Sequence, residues 1–583
     1  MDAVLSQLLQ LVSAEQGAAP SDSDYHGDSL SSRLCGAPQT LDDAHDLLLC
    51  AASGFSAYVD GWRLKNRATR NESSPAYCLP PEIYIQIFEC IRYSPTFNIE
   101  DAVAVSHVSR TWRAIALDAP FLWALIRPAR ADLIKACAAR SKVTPLEISF
   151  WGKHGSPLKR ERLYGAVLPS ILHGPCLGTF SMNHICPTDL VICLPPSAPQ
   201  LRTLALSVTG RKPADTRYSV TPETFHSSLP SLRELSLSGM LLPLCYFSGL
   251  EKLRLRYVLF TAPILFRLIR ALGDCPSLEQ LHFVWESFAL PDAEIEGELR
   301  NFDSPIRLPC LRDLKIKGST SAVVRAILGL VRAPSVIRSQ VSAKLDFGEH
   351  LRHIFPSDMD VKDIFPGLSS LEHLEVIGVL LPGQALTLRG QLGASTQSWK
   401  FTLYPPSASP YSASFAWCDT LRYLRSSRSP FPALTALTLR DLKIQHFRLP
   451  IEFANALKKM HSIQHIAFHS CSPALVETLT IKINRRLFLN LKSLRLDQVD
   501  ISKPRLLDLI KSRMKFDDGA RVSVWAAVDL AKFALKNSRE EAWATLDALR
   551  VTKCAAVDLS TAIMCKGLMR DVRWNGRRSF HAP

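Results

Sequence analysis

A six-residue pattern, leucine-x-x-leucine-x-leucine, recurs in the chain and constrains its fold more than any other feature. The pattern or a close variant starts at residues 177, 201, 232, 250, 278, 311, 371, 434, 463, 491 and 546. Most successive starts are 18 to 33 residues apart, and three gaps are about twice as long, as if degenerate repeats lie inside them. Alternating leucines indicate a strand with one buried face, so we expect a short strand at every start.

The segments between these strands contain helix signals. After the strand at 250, Thr261 is placed to cap a helix, Pro263 lies in its first turn and Gly273 follows its end. Similar apolar stretches occupy residues 323–332, 452–460 and 504–514. A strand and a helical return at a period of about 20 to 30 residues are typical of leucine-rich repeats. We therefore predict an α/β fold, an irregular leucine-rich-repeat solenoid over residues 140–583.

Composition places the chain among globular proteins. Of its 583 residues, 47% are hydrophobic and 21% are charged, and the length exceeds what one ordinary hydrophobic core accommodates. No apolar run reaches the roughly 20 residues of a membrane span, and the N-terminus shows no secretory signal. The 15 cysteines are odd in number and form no C-x-x-C pair, which indicates reduced thiols. We expect a protein of the cytoplasm or the nucleus, or both.

Charge is distributed unevenly along the sequence. Residues 1–75 contain 10 acidic and 5 basic side chains, so the formal net charge of +15 corresponds to about +20 on the remainder. An excess of this kind is compatible with nucleic acid, an acidic membrane surface or an acidic protein partner.

Three segments precede the repeats. Residues 1–39 are rich in Ser, Gly, Asp and Pro and predict a flexible tail. Residues 40–74 predict a helix, capped by Thr40, followed by a basic linker after Trp62. Its apolar positions recur at three-to-four spacing: Leu41, Ala44, Leu48, Ala52, Phe55, Val59 and Trp62.

Residues 75–128 predict a small all-α domain. In "LPPEIYIQIF", Pro80 and Pro81 mark a helix start, Glu82 lies in the first turn, and Ile83 and Ile87 share a face. A second helical stretch has Val105, Val108, Trp112 and Ile115 on one face, and "PFLW" follows at 120–123. Such short helices are too small for a large core of their own, so we expect a partner to cover part of their apolar surface.

The order of these three elements, with repeats downstream, resembles an F-box, specifically that of divergent F-box proteins with irregular leucine-rich repeats that are numerous in fungi. The resemblance covers Leu79 to Ile126. It implies that the domain docks on a Skp-type adaptor, which docks on a cullin carrying a RING protein. The remainder of the chain would hold the target of ubiquitylation. The adaptor-binding residues implied in this sequence are Leu79, Pro80, Pro81, Glu82, Ile83, Ile87, Val105, Val108, Trp112, Leu122 and Trp123.

The repeats predict a second surface. The third, fifth and seventh positions of each pattern point away from the core. In three consecutive repeats, five of these nine residues are Lys or Arg. They form either a solvated sheet face or a target-binding patch for an acidic or phosphorylated segment. The candidate target-binding residues are Lys252, Arg254, Arg256, His282, Lys315 and Lys317.

Motifs for chemistry are weak by comparison. His461, His465 and His469 are four apart, but the local period is that of a strand, so we expect no metal site. His350 and His353 lack a third ligand nearby. Short phosphate-binding, hydrolase, dinucleotide and zinc-protease motifs do not occur. We therefore predict no catalytic residues and no cofactor.

The sequence favours a non-catalytic substrate receptor of a Skp/cullin/F-box ubiquitin ligase. Two alternatives stay open at this point. One is an F-box scaffold that acts outside a ligase, and the other is a nucleic-acid-binding solenoid, which is suggested by charge alone.

Overall fold

The computed structural model describes most of the chain downstream of residue 40. The described residues are 41–127, 130–151, 177–185, 198–208, 229–302, 304–356, 364–378, 385–391, 397–406, 412–424, 431–443, 449–457, 460, 462–480, 490–513, 546–569 and 571–575. The predicted tail at 1–39, Thr40 and His461 lie outside them. The chain divides into two units: one extends to Ser94 and includes Ser109–Ile115, and the other contains Pro95–Val108 and the chain from Ala116 onward.

The first unit contains a long helix, α1, over Leu41–Glu72. The segment after Trp62, which the sequence predicts to be a linker, continues this helix. It contains no Gly or Pro, and its Leu, Lys, Arg and Ala residues are good helix formers. Leu48, Phe55 and Trp62 lie on the predicted apolar face, and each side chain is about half exposed.

Short helices follow, in agreement with the predicted all-α segment. A 3₁₀ turn at Pro75–Cys78 precedes α2 (Pro81–Arg92), α3 (Ile99–Ser106), α4 (Arg110–Leu117) and α5 (Pro120–Trp123). The sequence had placed Val105 and Trp112 on one continuous helical face, which is wrong. The Ser109 hydroxyl accepts a hydrogen bond from the Trp112 amide at 3.1 Å and so caps a new helix.

The second unit is built on a 17-stranded sheet. All eleven predicted strands are confirmed. The nineteen strands of the described chain, two of which form a separate pair, are β1 (Leu125–Ile126), β2 (Leu146–Trp151), β3 (Leu177–Ile185), β4 (Thr203–Val208), β5 (Glu234–Ser238), β6 (Lys252–Arg256), β7 (Gln280–Phe288), β8 (Ile306–Arg307), β9 (Asp313–Thr320), β10 (Val331–Arg332), β11 (Arg338–Lys344), β12 (His373–Ile377), β13 (Leu386–Gln391), β14 (Ser398–Tyr404), β15 (Ala436–Arg440), β16 (His465–His469), β17 (Ser493–Asp497), β18 (Ala548–Thr552) and β19 (Asp571–Trp574).

Helices follow several strands of the second unit. They are α6 (Ala131–Arg140), α7 (Ala262–Leu272), α8 (Asp292–Arg300), α9 (Ser321–Leu330), α10 (Ser412–Leu424), α11 (Leu449–Leu457), α12 (Pro473–Glu477), α13 (Lys503–Lys511) and α14 (Leu559–Leu568). Further 3₁₀ turns occupy Leu244–Phe247, Leu351–Ile354 and Pro366–Ser370. The predicted returns at 261–273, 323–332, 452–460 and 504–514 correspond to α7, α9, α11 and α13.

The pattern leucines of the strands form the core. Leu253 and Leu255 of β6 are fully buried, whereas Lys252, Arg254 and Arg256 between and beside them are at least partly exposed. A similar alternation occurs in β4, β5, β12, β15 and β16, so one face packs on the core and the other carries polar side chains. In β11 and β14, Ser342 and Thr402 of the polar face are also buried. Parallel neighbours align equivalent positions of successive patterns, as Arg254 with His282 shows.

A backbone detail recurs where strands end. Tyr257, Asp441, Ser470, Gln498 and Lys553 each follow the last strand residue and adopt positive φ, between 51° and 56°. The amides of the first four donate to the carbonyl of the last aligned residue in the neighbouring strand, over 2.7–3.0 Å. This left-handed conformation is uncommon for residues other than Gly, and these five strands of the described chain end in it.

Strand order departs from chain order in one region. The sheet runs β9, β11, β14, β13, β12, β15, and only β13 is antiparallel to its neighbours. In its described part, the gap between patterns 311 and 371 holds one further strand of this sheet, β11, as the spacing suggested, and β10 of the separate pair. The gap between 371 and 434 instead holds β13 and β14, which reverse the order. Most of the gap between 491 and 546 lies outside the described residues.

The reversed segment is joined to its neighbours by the same backbone bonds that link successive repeats. The Leu345 amide donates to the Tyr404 carbonyl at 2.8 Å, and the Gly378 amide donates to the Arg440 carbonyl at 3.1 Å. Thus β14 follows β11, and β15 follows β12, as one repeat follows another, although 60 or more residues separate each pair in the chain.

Candidate functional site

The start of α2, in the first unit, presents the first predicted contact residues. Leu79 is 37% exposed, and Pro80, Pro81 and Glu82 are exposed beside it. Pro80 is the extended residue before the helix, and Pro81 is its first residue, as the sequence predicts. Proline has no backbone N–H to leave unpaired at a helix start, and its ring fixes φ. The exposed surface is therefore stiff and mainly apolar.

The opposite side of α2 holds this surface in place. Tyr84 and Phe88 are buried, and their rings pack on Trp112 with centroid separations of 5.6 and 5.3 Å. The Tyr84 hydroxyl also donates to the carbonyl of Ala76 in the preceding 3₁₀ turn. The buried face therefore contains Tyr84 and Phe88. The predicted contact residues Ile83, Ile87 and Trp112 are only partly buried.

The second unit contains the other four residues that the resemblance implies for adaptor contact. Val105 is 7% exposed, and Leu122 and Trp123 are fully buried, so their side chains are core and do not form a contact surface in this conformation. The Trp123 indole N–H donates to the Ala116 carbonyl at 2.7 Å, and the Arg140 guanidinium lies 4.6 Å from the ring centroid. Val108 is different, since it is 56% exposed.

The polar face of the sheet carries the predicted target-binding residues, and half of them have partners. Lys252 pairs with Glu234 on β5. The Arg254 guanidinium donates to the side-chain oxygen of Gln280 at 2.9 Å. His282 Nε2 lies 3.2 Å from a carboxylate oxygen of Asp313, and this contact is the main reason why the pKa of Asp313 is lowered. These three side chains are largely engaged by neighbouring strands.

The remaining predicted cations are Arg256, Lys315 and Lys317, which form no ion pair with another residue of the described chain. The structure adds Lys400 of β14, which sequence reasoning missed. Gln340 of β11 is aligned with Lys315 on one side and with Lys400 on the other. We refer to Lys315, Lys317 and Lys400 as the lysine cluster.

The electrostatics confirm that these three ammonium groups are neighbours. The pKa of Lys317 lies below its ordinary value, first because the side chain is partly desolvated and then because Lys315 and Lys400 repel its charge. Partial burial and the nearby Arg389 lower the pKa of Lys400 in the same direction. Ammonium groups that lie close together repel one another, which disfavours the protonated form of each unless an anion binds among them.

The histidines singled out in the sequence have local roles. His465 and His469 lie on β16 and contact Ser493 at 2.7 Å and Asp497 at 3.1 Å on the next strand. His350 and His353 accept backbone amides at the Leu351–Ile354 turn, and burial lowers the pKa of His350 to about 4. Across the described ranges, no group of three or more His, Cys, Asp or Glu residues is arranged to hold a metal.

Six cysteines of the described segments are buried, and burial raises the pKa of Cys418 to about 12. Cys50, Cys78, Cys90 and Cys310 are exposed. Within the part of the chain that the structure describes, no helix combines the length and apolar character needed to cross a bilayer.

Comparison with known proteins identifies one segment. Residues 76–127 match the family model of F-box-like domains. The matched segment contains the exposed start of α2 and ends at the strand β1. No curated protein matched the chain in a sequence search. The match supports the interpretation of this chain as an F-box protein. It indicates an adaptor-binding role of the kind found in Skp/cullin/F-box ligases. The F-box subunits of such ligases are usually non-catalytic.

Proposed function

We propose that this chain is the substrate-recognition subunit of a Skp/cullin/F-box ubiquitin ligase. The single observation that carries the proposal is the F-box-like match at residues 76–127, within which Leu79 to Glu82 are exposed at a helix start. Recruitment of the cullin and the RING protein follows from the adaptor. Such complexes work in the cytoplasm and the nucleus, and we propose the same locations for this chain.

The adaptor contact consists of Leu79, Pro80, Pro81 and Glu82, with Ile83 and Ile87 at its edge. Exposed apolar side chains on a short, stiff segment lose little conformational entropy when they are covered, which favours binding. Tyr84, Phe88 and Trp112 act indirectly, since their packing fixes the orientation of α2. Leu122 and Trp123 contribute through folding of the second unit.

The repeat sheet supplies the target-binding surface in this proposal. We interpret its strands and returns as irregular leucine-rich repeats, on the basis of the recurring left-handed residue after the strands and the helices between them. Support for binding at the polar face comes from unneutralised cations there, which a soluble monomer does not need for its own stability.

Co-purification with a Skp-type adaptor tests the proposal. The triple variant Leu79→Ala/Pro80→Ala/Pro81→Ala should weaken adaptor binding at least about tenfold, because a few central contacts dominate an interface. Tyr93→Ala is the matched control, since Tyr93 is 75% exposed in the same unit and lies after α2. Its binding should equal that of the wild type.

Two outcomes would contradict this assignment. One is undiminished adaptor binding by the triple variant with an unchanged circular dichroism spectrum. The other is a reducible ubiquitin thioester on this chain, because the proposal assigns ubiquitin transfer to the partners. Ubiquitin chains should form on a captured target only when adaptor, cullin, RING protein and conjugating enzyme are all present. An F-box scaffold would bind the adaptor without supporting this reaction.

A further inference from the structure

The reversed strand order changes which charge lies next to β11. In simple chain order, β12 would follow β11 and would place Glu375 beside Gln340, at the equivalent position of the pattern. The observed order places Lys400 there. Glu375 lies on the far side of β13, where it pairs with Arg440 and lies 3.9 Å from Arg389. The acid at the equivalent position of the pattern, Glu375, is therefore engaged by arginines of other strands.

The surroundings of the cluster are polar, and they include the charged Asp313 near Lys315 and Arg389 near Lys400. The β9–β11 register shifts at this point, so that Lys317 and Gly318 together face Ser342. Gly318 has a φ of +78°, and its amide donates to the Ser342 hydroxyl at 3.3 Å. Thr402 and Thr387 lie alongside, with hydroxyl oxygens 3.4 Å apart. Bulges of this kind are frequent where a strand redirects a side chain toward a ligand.

The distances between the three lysines suit a ligand that carries several separate negative charges. Lys315 and Lys317 are two residues apart on one strand, which corresponds to about 6.7 Å, and one strand lies between Lys315 and Lys400, which corresponds to about 10 Å. Alternate carboxylates of an extended peptide have the same separation of about 6.7 Å. A single phosphate group is smaller and suits the forked guanidinium of arginine. Three nearby arginines, Arg254, Arg389 and Arg440, already contact side chains of the sheet. Arg256 is separated from Lys317 by one strand, at Val284, and forms no ion pair with another residue of the described chain.

We propose that the lysine cluster binds a carboxylate-rich segment of the target, with acidic residues at alternate positions. The inference rests on the proposed function, since it names the class of substrate that the receptor holds. Three ammonium groups neutralise the carboxylates. Neutralisation also relieves the repulsion within the cluster.

Fluorescence anisotropy on the full chain bound to its adaptor tests this site. The probe is a labelled octapeptide that alternates Glu and Ala, and a Gln/Ala octapeptide is its neutral counterpart. The Glu peptide should bind the wild type, and Lys317→Gln/Lys400→Gln should weaken it by about tenfold, as loss of two charge-assisted contacts predicts. Lys252→Gln removes a cation that already has a partner, so it should change affinity less than about twofold.

Further arms distinguish other ligands. A peptide with one phosphoserine and single-stranded DNA should both bind less tightly than the Glu peptide, and raising the salt concentration should weaken only charged probes. Tighter binding of either competitor, or an equal affinity of wild type and double variant for the Glu peptide, would overturn the inference. If adaptor binding persists in that case, the proposed function stands without this site. If the wild type does not bind a Skp-type adaptor at all, the proposed function itself is contradicted.

Discussion

The strands from β5 to β9 and those from β11 to β12 differ in how their surface charges are neutralised. In the first run, strand order equals chain order, and Lys252 pairs with Glu234 of the preceding repeat while His282 contacts Asp313 of the next. In the second run, the order is reversed, and Lys400 lies beside Gln340 with Lys315 beyond it. Adjacent strands thus supply partners for Lys252 and His282 in the first run, whereas Lys400 of the second run adds a third ammonium group to Lys315 and Lys317 of β9.

The reversed strand order also places a packing requirement on β13. A strand that runs antiparallel between β14 and β12 must pack its core face against side chains that a regular repeat would not bring there. At Gly390 of β13, a Cβ atom would lie 2.5 Å from a methyl carbon of Leu371. Leu371 is fully buried in a close-packed core, so its side chain can shift only if its neighbours shift as well.

The strongest test of the comparison is the strand order itself. Gln340→Cys with Lys400→Cys should form a disulfide under mild oxidation, because aligned residues on adjacent strands have Cα atoms about 5 Å apart. Gln340→Cys with Glu375→Cys should form none, since three strand spacings, about 14 Å, separate them. Mass spectrometry of the cross-linked peptides measures both. The opposite result would establish regular order and remove the lysine cluster.

A second test concerns the packing of β13. Gly390→Ala should reduce the free energy of unfolding by about 1–3 kcal/mol, since overpacking forces its buried neighbours to shift. Gly297→Ala is the control: a Cβ at this exposed position of α8 meets no atom within 4 Å. Alanine there should stabilise by up to about 1 kcal/mol through helix propensity. Urea unfolding measures both, and equal effects would show that β13 does not pack as described.

The smallest expected effects are those of charge, and they should differ in sign. Lys252→Gln removes a partly exposed ion pair and should cost up to about 1 kcal/mol at neutral pH. Lys317→Gln/Lys400→Gln removes repulsion and should stabilise by a few tenths of a kcal/mol.

The pH dependence of the second variant sharpens this prediction. The pKa values of Lys317 and Lys400 are lowered in the folded state from the ordinary value of 10.5, so the unfolded chain binds protons more tightly. The charged Lys317 and Lys400 therefore destabilise the folded wild type fully below their folded-state pKa values. Wild-type stability recovers as the pH rises through those values toward 10.5. The advantage of the double variant should therefore shrink in alkaline buffer. An advantage that stayed constant with pH would contradict electrostatic repulsion as its cause.

Sequence reasoning was most successful where each residue was constrained by its immediate neighbours. The start of α2 at Pro81, the helical return that begins after Thr261 and the strand at His465 all follow from local preferences, and all are confirmed. The Thr261 side chain, however, makes no capping hydrogen bond. It was least successful with residues whose burial depends on distant segments. Trp123 is an example, because an aromatic residue in a short apolar plug is equally compatible with a core and with a contact surface.

Lys400 shows the same limit at the candidate site. Its strand, "SWKFTLY", alternates clearly, but it lacks the leucine pattern, and nothing in its local sequence indicates which strand lies beside it. A search for alternating segments inside the long gaps would have identified the strand. It would not have identified its neighbours.

By itself, the sequence determined the eleven pattern strands, their buried leucines and the short helical segment that resembles an F-box. These features arise from periodicity, capping and proline geometry, which act over a few residues. Only the tertiary structure decided that β14 lies next to β11 and that Lys400 joins Lys315 and Lys317. Strand pairing is a choice among edges that offer the same backbone hydrogen bonds, and that choice depends on how side chains pack across the whole sheet.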